Sequence, residues 1–186
     1  MGGWSLNTKR GLAVAVLAEA GVMVALAYVL SLIKIWHMPY GGAVTAGSMV
    51  PLVLLALRRG PWVGMAAGAV FGILDFFTEP YFLTPVQWLL DYPVPFAALG
   101  VAGFFPGRAV AGTVAGVFLR FVSHVVSGVV FWGSYAKDYH MTPLVYSIVY
   151  NGSYLLPDLV ITAVLVALLL PRLAPVGRPA SQQSQR

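Results

Sequence analysis

The chain has 186 residues, of which 59% are hydrophobic and only 9% charged, and its mean hydropathy is +0.83. Such a composition excludes a soluble domain and points to an integral membrane protein, with length for about six spans of roughly 20 residues and none left for a second domain. The formal charge of +5 is scattered at the ends of apolar segments and forms no stripe, so nucleic acid is not the expected partner. The lack of cysteine excludes disulfides, thiolate nucleophiles and cysteine-bound metals.

The first apolar run covers residues 11–33. Lys9 and Arg10 ahead of it and Ala18-Glu19-Ala20 within it imitate a signal peptide, but the run is too long for one and reads as an uncleaved first span. Gly21 and Ala25 stand four apart on it, and small residues at that spacing let helices approach closely in lipid. A loop with Lys34, Trp36, His37 and Tyr40 follows. Residues 43–57 are apolar but short and contain Pro51, which predicts a broken or partly re-entrant helix closed by Arg58-Arg59-Gly60-Pro61.

Span 3 is expected over 62–77, with Asp75 near its end and Glu79 beyond. Span 4, over 83–104, carries Gln87, Asp91, Tyr92, Pro93 and Pro95. Prolines at mid-membrane depth free backbone carbonyls, and these are tolerated only where protein or water satisfies them, so this span should kink beside a cavity. Span 5, over 110–132, is apolar except for Arg120, His124 and two serines. At 3.6 residues per turn, Arg120, His124, Ser127, Gly128, Phe131 and Trp132 share an arc of roughly 140°. Span 6, over 144–170, carries Tyr146, Tyr150, Asn151 and Asp158. Residues 173–186 read as a disordered cytoplasmic tail behind a membrane domain over 1–172.

With six spans, Lys9, Arg10, Arg58, Arg59, Arg108, Arg172, Arg178 and Arg186 fall on one side and only Lys34 and Lys137 on the other. The positive-inside rule then puts both termini in the cytoplasm of a cell membrane. This topology sets depth. Asp91 lies about 12 Å below the outer surface at 1.5 Å per residue, His124 lies about as far below Trp132, and Tyr146 and Asn151 sit in the first two turns of span 6. Ionisable groups in hydrocarbon are costly and normally face a cavity. A carboxylate, an imidazole, an amide, phenols and an indole at one level describe an outward-facing pocket for a small, flat cation.

Other chemistries find less support. Ser123 and Ser127 flank His124 without a Gly-x-Ser-x-Gly elbow, the three histidines lack metal-ligand spacing, and no Gly-x-x-x-x-Gly-Lys-Ser/Thr loop is present. A membrane enzyme is therefore the weaker reading, no cofactor is implied, and energy for uptake would have to come from a partner.

The sequence resembles the thiamine-specific substrate-binding subunits, or S-components, of energy-coupling factor (ECF) transporters. The resemblance rests on Ala18-Glu19-Ala20, residues 50–60, Leu90-Asp-Tyr-Pro93, Arg120-x-x-x-His124-x-x-Ser-Gly128-x-x-Phe-Trp-Gly-Ser-Tyr-Ala136 and Tyr146-Ser-x-x-Tyr-Asn151-Gly152. It implies an all-α bundle of six transmembrane helices and capture of thiamine from outside. It further implies association with a transmembrane coupling subunit and two cytoplasmic ATPases, the chain itself being no enzyme. The ligand-binding residues it implies are Asp91, Tyr92, His124, Gly128, Trp132, Tyr146 and Asn151, with Trp36 and Tyr40 as lid candidates and Gly21 and Ala25 as the coupling surface. Asp91 would take the aminopyrimidine or balance the ligand's charge, Trp132 would stack on a ring and His124 line the thiazolium. Tyr146 and Asn151 would orient the ligand, while Arg120 would be structural, pairing with an acid such as Asp75. An S-component or secondary transporter for another vitamin or organic cation is the alternative.

Overall fold

The computed structural model describes residues 3–173; the tail expected over 173–186 lies, but for its first residue, outside the described residues. The chain is an α-helical membrane protein. Gly11–Ser31, Ala109–Phe131 and Pro143–Arg172 are each long and apolar enough to cross a bilayer. Large apolar side chains on these helices face outward, among them Leu17 and Val22 early in the chain and Val160 and Val164 late in it. In water such a surface would drive association, whereas lipid solvates it without penalty.

Helix α1 (Gly3–Ser31) turns Val24 and Ala27 into the core and leaves Gly21 and Ala25 exposed. A Cβ added at Gly21 would meet nothing within 4 Å, so this small-residue pair packs against no element of the bundle. Glu19 binds α1 to the end of α2 (Met49–Arg59): Arg58 Nε donates to Oε1 over 2.9 Å and Arg59 Nε to Oε2 over 2.6 Å.

Between them lies a hairpin that the sequence did not announce. Strand β1 (Lys34–His37) pairs antiparallel with β2 (Ala43–Thr45), with Trp36 opposite Val44 and His37 opposite Ala43. Its turn needs positive φ at Tyr40 (65°) and Gly41 (97°), the second being glycine's own territory. The β2 end is anchored by Asp158, whose Oδ1 accepts from both the backbone N and the Oγ1 of Thr45, each at 3.2 Å. The expected break at Pro51 does not occur. Pro51 is the third residue of α2, where the first turn has no use for its missing N–H, and the chain instead turns at Gly47 with φ 91°. Helix α2 is too short to span; Met49, Leu52, Val53 and Leu55 on it are the centre of the core.

Helix α3 (Pro61–Phe76) carries Gly64, Gly68 and Gly72 on one face, four apart. A Cβ at Gly68 would stand 2.7 Å from the carbonyl carbon of Phe96, and one at Gly72 would stand 2.6 Å from that of Tyr92. This stripe is the small-residue seam inside the bundle, and it lays α3 directly on the backbone of the segment over 85–104. That segment is broken, as its prolines suggest. Helix α4 (Pro85–Asp91) stops at Tyr92 (φ −120°, ψ −81°), α5 (Pro93–Ala98) restarts with proline at its first position, and a 3-10 segment (Leu99–Phe104) completes it. The carbonyl of Leu90, left over at the break, accepts from Ser123 Oγ at 2.8 Å. Ser123 belongs to α6 (Ala109–Phe131), and a second 3-10 segment (Gly133–Tyr139) leads to α7 (Pro143–Leu169).

Candidate ligand-binding site

The break at Tyr92 opens a cavity of about 190 Å³ between the hairpin, α3, α4, α6 and α7. Asp91, the last residue of α4, stands at its wall and is 17% exposed. Its Oδ2 accepts from Gln87 Nε2 at 2.6 Å and from Trp132 Nε1 at 3.2 Å, while Oδ1 lies 3.7 Å from His124 Nδ1. Three side chains, from α4 and from the end of α6, therefore converge on one carboxylate. Gln87 is fully buried, one helical turn before Asp91, and held in place by Leu83 N donating to its Oε1 over 3.0 Å.

The aromatic residues form a second wall. Trp132 stacks on Tyr135 (6.1 Å, 6°), Tyr135 stacks on Tyr40 (4.4 Å, 17°), and Tyr81 meets Trp132 edge-on at 6.1 Å. Along α7, Tyr146 stacks on Tyr150 (5.8 Å, 23°), which meets Tyr154 edge-on. The Tyr150 hydroxyl donates to the Pro39 carbonyl and accepts from Gly42 N, so α7 holds the hairpin turn over the cavity. Negative ring faces beside an acid suit a flat cation.

Each candidate from the sequence has a definite place. Asp91, Tyr92, His124, Gly128, Trp132, Tyr146 and Asn151 all line this cavity, and so does Tyr40. Trp36 does not: it is 65% exposed on β1 and points away. Tyr92 is largely occupied as a staple, its hydroxyl accepting from Tyr81 N at 2.9 Å and donating to Glu79 O at 2.7 Å. Asn151 is also engaged, donating to Ser147 O at 2.9 Å and accepting from the Tyr154 hydroxyl at 2.8 Å. Gly128 allows close approach of α6 and α7, since a Cβ there would overlap Ser147 Oγ. The expected Arg120–Asp75 pair is absent. Arg120 instead lies over the Phe96 ring at 4.1 Å and donates to His124 one turn on, and it acts on Asp75 only through longer-range attraction.

Sequence reasoning gave no ligand-side role to Gln87, Tyr81, Tyr135, Tyr150 or Tyr154. For Gln87 the signal was available, four residues before Asp91 and so on its face; Tyr146, Tyr150 and Tyr154 likewise repeat every fourth position. Tyr81 and Tyr135 lie in segments between helices and carry no periodicity. Among the described residues no group of three His, Asp or Glu side chains is arranged to hold a metal ion.

At the rim, Glu79 accepts from Lys34 Nζ, and the His37 ring lies 3.4 Å from the same oxygen. Burial pushes the Glu79 carboxyl up, but hydrogen bonds from Lys34 and His37 outweigh it and hold the group below its ordinary value. The hairpin is thus clamped to the loop after α3 by charge and to α7 by Tyr150.

Comparison with known proteins identifies the family. The profile of the family described as "Thiamine transporter protein (Thia_YuaJ)" matches residues 17–176. The thiamine transporter ThiT of Bacillus subtilis (strain 168) is 36% identical, the match covering 84% of this chain and 92% of that protein. The thiamine transporter ThiT of Lacticaseibacillus paracasei is 32% identical over 83% of this chain and 86% of its own length. The solved structure of ThiT from Listeria monocytogenes superposes with a TM-score of 0.76 at 28% identity, covering 86% of this chain and 95% of that one. With the family profile spanning most of the chain and a relative above 30% identity along its length, this protein belongs to the thiamine transporter protein family.

Proposed function

We propose that the chain binds thiamine in the cavity at the Tyr92 break and acts as the substrate-specific S-component of an ECF-type transporter. The observation that carries the reading is the convergence of Gln87, Trp132 and His124 on the Asp91 carboxylate beside a wall of stacked aromatic rings. Thiamine is a flat organic cation with an aminopyrimidine. Asp91 offers it a negative charge and hydrogen-bond acceptors, and Trp132 with Tyr135 offers ring faces. His124 and Gly128 give a flat floor on α6, and Tyr146 and Asn151 orient the ligand from α7. Tyr92 supports the loop above the site, and Tyr40 closes it.

In this reading the bundle has six membrane segments: α1, the short α2 buried within the bundle, α3, the broken α4–α5 unit, α6 and α7. The arginine distribution supports cytoplasmic termini, with the hairpin and its cavity outside. Gly21 and Ala25, exposed and unpacked on α1, form the surface for the transmembrane coupling subunit, and two cytoplasmic ATPases supply the energy. The relatives named are transporters, which supports a role without catalysis in this chain. Uptake of labelled thiamine by cells expressing the chain with and without the coupling and ATPase subunits tests the assignment. Uptake that is complete with this chain alone would contradict it.

A further inference from the structure

Arg120 sits on α6 one turn before His124 and is 8% exposed. Its Nη1 is buried without a hydrogen-bond partner, and no carboxylate among the described residues reaches it as an ion pair. What it does reach is the imidazole: Nε lies 3.4 Å from His124 Nε2, while the ring's other nitrogen, Nδ1, lies 3.7 Å from Asp91 Oδ1.

These contacts restrict the ring. A guanidinium has donors only and keeps its charge, and a neutral imidazole has one donor and one acceptor nitrogen. With Nε2 facing an N–H donor, Nε2 must be the bare nitrogen and the ring proton must sit on Nδ1, toward the carboxylate. The opposite tautomer would set N–H against N–H on one side and a lone pair against carboxylate oxygen on the other. The Phe96 ring under the guanidinium, 4.1 Å away, holds the donor in place.

We propose that Arg120 is a positioning residue for ligand binding: by donating to Nε2 of His124 it fixes the Nδ1–H tautomer, aims that proton at Asp91 and so orients the carboxylate that meets the ligand. The inference rests on the reading of Asp91 as the ligand's carboxylate partner. It gives the guanidinium a purpose that packing alone does not, since a cation beside a cationic ligand's site is otherwise unfavourable. Outer partners of this kind commonly set the tautomer of a functional histidine.

The test uses the full chain in detergent, without thiamine, labelled with ¹⁵N histidine. The sequence has three histidines, and His37→Gln and His140→Gln identify the signal of His124. Long-range ¹H–¹⁵N spectra should show the proton on Nδ1 and a bare Nε2 in the wild-type protein. Arg120→Met should move the proton toward Nε2, and Arg120→Lys should restore it. A wild-type His124 protonated on Nε2, or a tautomer unchanged in Arg120→Met, overturns the proposal, and the wild-type spectrum decides alone if the variant does not fold. For binding, Arg120→Met should weaken thiamine about tenfold in the wild-type background and by less than about twofold in His124→Ala. Equal losses in both backgrounds would show that Arg120 does not act through His124. Failure of wild-type protein to bind thiamine would remove the functional reading, while the tautomer would still be judged by the spectra.

Discussion

The indole Nε1 of Trp132 donates to the Oδ2 of Asp91 over 3.2 Å, tying the C-terminal end of α6 to the break between α4 and α5. The bond keeps the indole ring beside the carboxylate, so a ring lying on Trp132 would have its edge next to Asp91. Asp91→Asn keeps the shape and removes the charge. Charge-assisted hydrogen bonds contribute about 1.5–3 kcal/mol, so the variant should bind thiamine at least about tenfold more weakly by calorimetry while melting within a few degrees of wild type.

Gly128→Ala should destabilise the protein by about 1–3 kcal/mol, because the new methyl group would overlap Ser147 Oγ across the α6–α7 seam. Ser147 also donates to the Val125 carbonyl at 3.1 Å and accepts from Asn151, so the displacement would reach the ligand side. The double variant Gly128→Ala with Ser147→Ala removes the overlapping atom. Thermal unfolding in detergent should show the second change recovering part of the loss.

Tyr40→Ala should speed thiamine release, measured by stopped-flow chase, because it removes the stack on Tyr135 that holds the hairpin turn over the cavity. Loss of one such aromatic pair amounts to about 0.5–1.5 kcal/mol. Trp36→Ala, exposed on the outer side of β1, should leave the release rate unchanged.

The Lys34–Glu79 clamp should loosen in acid. Glu79 has its carboxyl held below the ordinary value of 4.5, so its contribution is complete above that pH and is lost as pH falls through the lower, folded-state value. The pair is partly exposed, and such pairs contribute at most about 1 kcal/mol. Amide exchange in residues 34–45, corrected for intrinsic rates, should therefore rise by no more than about fivefold on acidification, and Glu79→Gln should show the same rise already at pH 7.

Much of this site is legible in the sequence because it is written on helices. Arg120, His124, Ser127, Gly128 and Trp132 share one face at a period of 3.6, and Asp91 next to two prolines announces both a cavity and a broken span. The hairpin is not legible. Its strands are four and three residues long, too short for an alternating pattern, and its position depends on Asp158, Glu79 and Tyr150, which lie 42 to 113 residues away in the chain. Pro51 misleads for a related reason: a proline breaks a helix only in its interior, and nothing local says that α2 begins at Met49. The glycines of α3 hide their meaning too, since a stripe at spacing four does not say which backbone it touches.

The most direct test is titration of thiamine into the purified protein, following tryptophan fluorescence and heat together. Saturable binding at submicromolar thiamine is expected, with quenching that disappears in Trp132→Ala and heat that collapses in Asp91→Ala. Neither quenching nor heat up to millimolar thiamine would contradict the assignment of the Asp91–Trp132 cavity as a thiamine site.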